Sequence, residues 1–125
     1  MIDLKGKRAL VCGGSSGIGK ATVTALKENG ADVVILSRSA SGSGTISCDL
    51  EDLDSLKSLV TKEIKANGPF HILVNNSGGP PSGPLISAQP YDFERAFLRH
   101  VLASHTLVQL LFEGMKSLNL SLIHI

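Results

Sequence analysis

The sequence predicts an α/β fold: an open sheet of parallel strands with helices between them. Three observations predict it. Short apolar runs rich in Val, Ile and Leu recur along the chain. Between them lie longer stretches whose apolar residues return every three or four positions. Glycine and proline punctuate the joins. Strands that alternate with amphipathic helices are joined by crossovers, and crossovers make neighbouring strands parallel.

Residues 8–12 read as the first buried strand, and Gly13-Gly14-Ser15-Ser16-Gly17-Ile18-Gly19 follows directly. Ala21, Val23, Ala25 and Leu26 then mark one face of a helix that Gly30 stops. Residues 31–36 form a second strand and 45–48 a shorter third. Residues 49–66 read as a helix with Leu53, Leu56, Val60 and Ile64 on one side, closed by Gly68 and Pro69. Residues 71–75 are a fourth strand, and 76–84 a loop dense in Gly and Pro. A long helix spans 91–116, with Phe93, Phe97, Val101, Leu107, Leu110 and Leu111 as its apolar surface. Residues 121–125 begin a fifth strand. One join is unusual. The stretch 37–44 is too short for an ordinary crossover helix, and Ser39-Ala40-Ser41-Gly42-Ser43-Gly44 has the composition of a flexible loop. One face of the sheet is therefore expected to be thinly covered.

Composition excludes several classes. A chain of 125 residues holds one small domain, 1–125. The 12 Lys and Arg nearly cancel the 11 Asp and Glu, so no charge excess points to nucleic acid or an anionic membrane. No apolar run approaches the roughly 18 residues that cross a bilayer, and residues 1–7 lack a signal-peptide core. Cys12 and Cys48 lie in or beside apolar strands, which fits reduced thiols in a cytoplasmic protein. His100 and His105 are five apart, outside the four-residue spacing of a helical metal pair, so no metal site is expected.

A strand, then glycines, then a helix is the context in which a glycine motif carries meaning. A helix N-terminus offers unpaired N–H groups and a partial positive charge, so a diphosphate can rest there where no side chain blocks it. Gly13, Gly17 and Gly19 supply the tight turn and close approach, and Ser15 and Ser16 add hydroxyl donors. A ligand-free turn is the plain alternative, and the surrounding strand and helix weigh against it. After the second strand stand Ser37 and Arg38 with no acid. An acid there would accept from a ribose 2′-hydroxyl, whereas Arg38 suits a 2′-phosphate.

The spacing Gly-x-x-x-Gly-x-Gly at 13–19 resembles that of the short-chain dehydrogenase/reductase family. Asp49-Leu50 after the third strand, Asn75-Asn76-Ser77-Gly78 after the fourth and the long helix from Tyr91 match further family features in order. The resemblance implies a Rossmann-type doubly wound parallel sheet, truncated after about five strands. It also implies cofactor contacts from Gly13, Ser15, Ser16, Gly17, Ile18, Gly19, Ser37, Arg38, Asp49, Leu50, Asn76, Ser77 and Gly78. The resemblance implies a nicotinamide coenzyme, and the charge at Ser37-Arg38 makes NADP(H) the expected one rather than NAD(H). The reaction is hydride transfer between it and a carbonyl or secondary alcohol in the full-length protein, which would be a homo-oligomer. The loop 79–84 would border the substrate.

The family's chemistry needs a Ser and a Tyr-x-x-x-Lys that follow its fifth strand. This chain has one Tyr, Tyr91, without that Lys, so it is expected to carry the cofactor-binding half only and to be inactive alone. His100 stands where the family has a catalytic Asn, and a histidine there could relay protons. A histidine satisfied by a structural neighbour is the equal alternative. The departure also supports a different class of function, a non-catalytic NADP-binding sensor or structural protein. Residues 122–125 loosely fit the family's fifth strand. Residues 120–125 also resemble the translation of a transposon end used in sequencing-library preparation, which would make 119–125 non-native. An uncovered fifth strand predicts poor solubility for the isolated chain.

Overall fold

Val33, Val34 and Ile35 are β-branched, and their stiff side chains favour a pleated backbone. They form the middle of a strand at Asp32–Ser37 in a computed structural model that describes residues 2–78 and 82–119, and the backbone of 122–124. Five strands build one parallel sheet: β1 (Arg8–Cys12), β2 (Asp32–Ser37), β3 (Thr45–Ser47), β4 (Ile72–Val74) and β5 (Leu122–His124). Their order is β3-β2-β1-β4-β5. Arg8 stands opposite Asp32, Ala9 opposite Ile72 and Ile72 opposite Leu122. The chain thus winds outward from β1, returns, and continues on the other side, so the strand order reverses between β1 and β4. This is the doubly wound parallel sheet that the alternation of elements predicts.

The helices are α1 (Gly17–Glu28), α2 (Leu53–Asn67), α3 (Pro90–Phe97) and α4 (Ala103–Ser117). Alternating side chains of the strands divide the core in two. On one face Leu10, Cys12, Leu36, Ile46 and Leu73 pack with Leu56 and Val60 of α2 and with Leu107, Leu111 and Met115 of α4. Each large apolar side chain buried there contributes about 1.5–3 kcal/mol. On the other face Ala9, Val11, Val33 and Ile72 pack with Val23 of α1. The connection from β2 to β3 carries no helix, so among the described residues α1 alone covers this second face. The sequence compensates at β3. Ile46 joins the first core, while Thr45 and Ser47 turn outward and bond loop carbonyls, Thr45 Oγ1 to Gly42 O at 2.6 Å and Ser47 Oγ to Arg38 O at 3.1 Å.

At the amino ends of the strands, the Arg8 side chain reaches Asp32 at 3.4 Å, Glu63 at 3.0 Å and the Gly68 carbonyl, with the Phe70 ring 4.4 Å away. It pins β1, β2 and α2 together. The Arg8 backbone N–H donates to His71 Nδ1 at 3.0 Å.

The ends of β2, β3 and β4 shift by one residue from the sequence reading, and two helices depart from it further. The second helix starts at Leu53 rather than at residue 49, because Asp52 caps it by accepting from the Ser55 N–H at 3.1 Å and its hydroxyl at 2.7 Å. Residues 49–52 form a turn instead, closed by Asp52 N–H to Asp49 O at 3.0 Å. The long helix starts with Pro90, whose fixed φ suits a first helical position, and is not uniform. Leu98–Leu102 is π-helical and joins α3 to α4. Apolar periodicity does not reveal such an interruption, since the inserted residue shifts phase without changing composition. Of the expected fifth strand, residues 121 and 125 lie outside the described ones.

Candidate functional site

Four loops leave the carboxyl ends of β1, β2, β3 and β4 and meet at one cleft of about 230 Å³, beside the point where the strand order reverses. Ligands of open α/β sheets bind at such a crevice. The first loop contributes Gly13, Ser15 and Ser16, the second Ser37, Arg38 and Ser39, the third Cys48, Asp49 and Leu50, and the fourth Asn76, Ser77 and Gly78. Leu36 forms part of the floor and Arg99 arrives from the long helix. The volume is below the usual 300–1,000 Å³ of a drug-sized pocket, which suits part of an extended ligand.

The glycine loop is built by contact. Gly13 adopts φ +65°, and a Cβ there would lie 2.7 Å from Asn76 Nδ2. Asn76 Nδ2 makes a long bond, 3.4 Å, to the Gly13 carbonyl and so ties the first loop to the fourth. A Cβ on Gly19 would stand 1.9 Å from that same carbonyl oxygen. Gly19 therefore serves the close packing of α1 on the turn. Gly17, Ile18 and Gly19 are not on the cleft wall, and Ile18 is exposed.

The start of α1 faces the cleft open-ended. Ser16 is its N-cap in extended conformation, its side chain makes no capping bond, and no acid occupies the first turn. The N–H groups there keep their capacity for an anion. Ser15 Oγ and Ser37 Oγ approach to 2.6 Å, joining the first and second loops. Arg38 makes no ion pair among the described residues. The cleft thus combines an uncapped helix start, small side chains and a guanidinium with no ion-pair partner among the described residues.

Four wall residues, Leu36, Ser39, Cys48 and Arg99, were not among the site residues the sequence reading names. Arg99 Nη2 lies 3.4 Å from Glu51 Oε2, and Arg95 also binds Glu51. Arg95 and Arg99 are four apart, a spacing that places both on one helix face. Their target in the turn after β3 carries no sequence signal. Burial, then the Asp52 and Asp49 charges, push the Cys48 thiol up, and burial followed by Cys48 pushes Cys12 up to about 12. Both remain neutral thiols at physiological pH and poor nucleophiles. Among the described residues no cluster of His, Cys, Asp or Glu could hold a metal ion.

His100 sits in the π-helical segment, off the cleft wall, with Nδ1 2.7 Å from Ser77 Oγ. The buried Nδ2 of Asn75 has no partner among the described residues. Tyr91 is exposed in the first turn of α3, with the Arg95 guanidinium 5.4 Å from its ring. Of the loop 79–84, residues 79–81 lie outside the described ones. Ser82, Gly83 and Pro84 border a second depression of about 340 Å³ with Leu85 and Phe93. No helix among the described residues is long and apolar enough to cross a membrane.

Comparison with known proteins agrees with this geometry. The family described as short chain dehydrogenase matches residues 7–121. Secoisolariciresinol dehydrogenase of Forsythia intermedia is 33% identical over 108 residues, covering 75% of this chain and 39% of its own length. D-erythrulose reductase of Gallus gallus is 35% identical over 106 residues, covering 77% and 42%. Among solved structures, a blue fluorescent protein from a metagenomic library in complex with NADPH superposes with TM-score 0.80 at 31% identity, over 90% of this chain and 53% of that one. The chain thus spans about 40% of the length of the curated relatives named and about half of that structure.

Proposed function

Because the chain belongs to the short chain dehydrogenase family, we propose that it is the coenzyme-binding portion of an oxidoreductase that uses NADP(H) in preference to NAD(H). The observation that carries this reading is the uncapped start of α1 at the strand-order reversal, with the unpaired Arg38 on the same cleft. The open N–H groups at Ser16–Gly19 hold the diphosphate, helped by the Ser15 and Ser16 hydroxyls, while Gly13, Gly17 and Gly19 keep side chains out of its way. Arg38 and Ser37 bind the 2′-phosphate, whose charge Arg38 matches with bonds stronger than neutral ones. Asp49 and Leu50 border the adenine, and Asn76, Ser77 and Gly78 the second ribose. Bound there, the nicotinamide ring supplies the site that gives or takes a hydride.

In the full-length protein the substrate is a small carbonyl compound or secondary alcohol, bordered by the loop 79–84. His100 stands beside the coenzyme site and is the catalytic candidate within this chain, as a holder of a proton near the reacting groups. Phe93, Phe97 and Val101 recur at four-residue steps and are about half exposed, 57%, 55% and 47%. Such a stripe on the long helix supports a homo-oligomer. The two free cysteines fit a reducing, cytoplasmic location. The single domain at 1–125 is incomplete at its C-terminal side on this reading.

Calorimetric titration of the chain with NADPH and with NADH tests the proposal. Binding of NADPH at least tenfold tighter than NADH is the expected result, about 1.4 kcal/mol at 25 °C. No heat with either coenzyme overturns the coenzyme reading, and equal affinity overturns the NADP(H) preference.

A further inference from the structure

We propose that Ser77 is a positioning residue for His100: its hydroxyl donates to Nδ1 and holds the neutral imidazole's proton on Nε2. The proposal deepens the coenzyme-site reading above, on which its functional meaning rests. Ser77 Oγ and His100 Nδ1 are 2.7 Å apart. Were the ring N–H the donor, the separation would centre near 2.9–3.0 Å, the range of N–H···O bonds. The separation therefore favours the serine as donor, and an accepting Nδ1 leaves the proton of a neutral ring on Nε2.

Both partners are held from the backbone. Ser77 follows β4 in a loop that Asn76 anchors on the Gly13 carbonyl. His100 lies midway along the π-helical Leu98–Leu102. A residue inserted into a helix of 3.6 residues per turn changes phase by about 100°. That step lets α4 keep Leu107, Leu111 and Met115 in the core while Arg95 and Arg99 meet Glu51 and His100 meets Ser77. Among the described residues neither Ser77 Oγ nor the His100 ring makes another hydrogen bond, so this contact is the one that selects the tautomer. Ser77 itself is on the cleft wall, and His100 reaches that wall through it. The serine thus links the coenzyme site to a histidine that keeps a fixed N–H donor, rather than a free basic nitrogen, at Nε2.

Long-range 1H–15N correlation of the labelled chain, at a pH where His100 is neutral, reads the tautomer directly. The wild type is expected to show a protonated Nε2 and an unprotonated Nδ1. In Ser77→Ala both nitrogens shift toward the averaged positions of mixed tautomers, and Ser77→Thr, which keeps the hydroxyl, returns the wild-type pattern. A protonated Nδ1 in the wild type overturns the proposal, as do unchanged His100 nitrogens in Ser77→Ala. If Ser77→Ala fails to fold, judged by its backbone amide spectrum, the wild-type tautomer and the Ser77→Thr spectrum still decide. NADPH added to the same samples separates the two readings. Absent binding with the predicted tautomer removes the coenzyme site, whereas binding with the wrong tautomer removes only the role of Ser77.

Discussion

Arg95 grips Glu51 with two donors, Nε to Oε1 at 2.7 Å and Nη2 to Oε2 at 3.2 Å. Arg99 adds a third contact at 3.4 Å. This fork-on-carboxylate geometry is directional as well as attractive. It fastens the turn after β3, with Asp49 and Leu50, to the long helix that carries His100. The Arg95 hydrogen bonds, aided by the arginine charges, hold the Glu51 carboxyl below its ordinary range.

Glu51→Gln is expected to lower the melting temperature by a few degrees near neutral pH. A carboxyl whose folded pKa is depressed contributes stability that is complete above its unfolded pKa and fades as pH falls through the folded one. The gap between wild type and variant should therefore narrow below about pH 4.5, the ordinary glutamate region. Thermal melts by circular dichroism from pH 3 to 7 check it; a gap that does not change with pH contradicts the assignment.

Gly19→Ala sets a methyl 1.9 Å from the Gly13 carbonyl oxygen, a backbone atom that cannot turn aside. The turn must open. Overpacking of this kind costs roughly 1–3 kcal/mol or more. The expected outcome is a lower urea midpoint together with loss of NADPH binding, measured on the same preparation.

Arg38→Ala is predicted to weaken NADPH while leaving NADH nearly unchanged. Hydrogen bonds to charged groups contribute about 1.5–3 kcal/mol, so the NADPH loss should be roughly ten- to a hundredfold. Parallel titrations with the two coenzymes measure it. An equal loss for both would remove Arg38 from the 2′-phosphate.

His71 confers a different pH dependence. Burial first, then the Lys7 and Arg8 charges, lower its pKa. Its Nδ1 accepts the Arg8 N–H, which a proton on Nδ1 would prevent. For a base depressed on folding, the unfolded chain binds the proton more readily, so stability is whole above about pH 6.5 and declines as pH drops toward the lowered folded value. Urea midpoints should fall between pH 7 and 5, and His71→Gln, which keeps a neutral acceptor, should flatten that fall.

Leu107→Ala empties a fully packed position between α4 and the sheet, where Leu107 is 1% exposed. The expected cost is about 2–5 kcal/mol, read as a shift in the denaturation midpoint.

Much of this architecture was legible beforehand, for identifiable reasons. The runs at β1 and β2 are apolar because both faces are buried, and Gly13 and Gly19 are fixed by backbone crowding that no other residue tolerates. The loops that meet at the cleft could be named because each follows a readable strand. What stayed hidden depends on contacts between distant segments. Nothing in the spacing of Arg95 and Arg99 identifies Glu51 as their shared target. The phase step at Leu98–Leu102 leaves no compositional trace, and neither does the pairing of Ser77 with His100 across 23 positions. The helix start at Leu53 was misplaced because acids suit both a cap and a first turn, and only the Asp52–Ser55 bonds distinguish the two.

The helix-free passage from β2 to β3 has a bearing on how such a protein changes under selection. The segment presenting Arg38 is fastened at its margins by two hydroxyls, those of Thr45 and Ser47, and contributes nothing to either apolar core. It is in effect a detachable cassette. Its length and charge can be rewritten, by mutation or in the laboratory, with little penalty to the scaffold, so on the proposed reading a coenzyme preference can drift while the sheet beneath it stays the same.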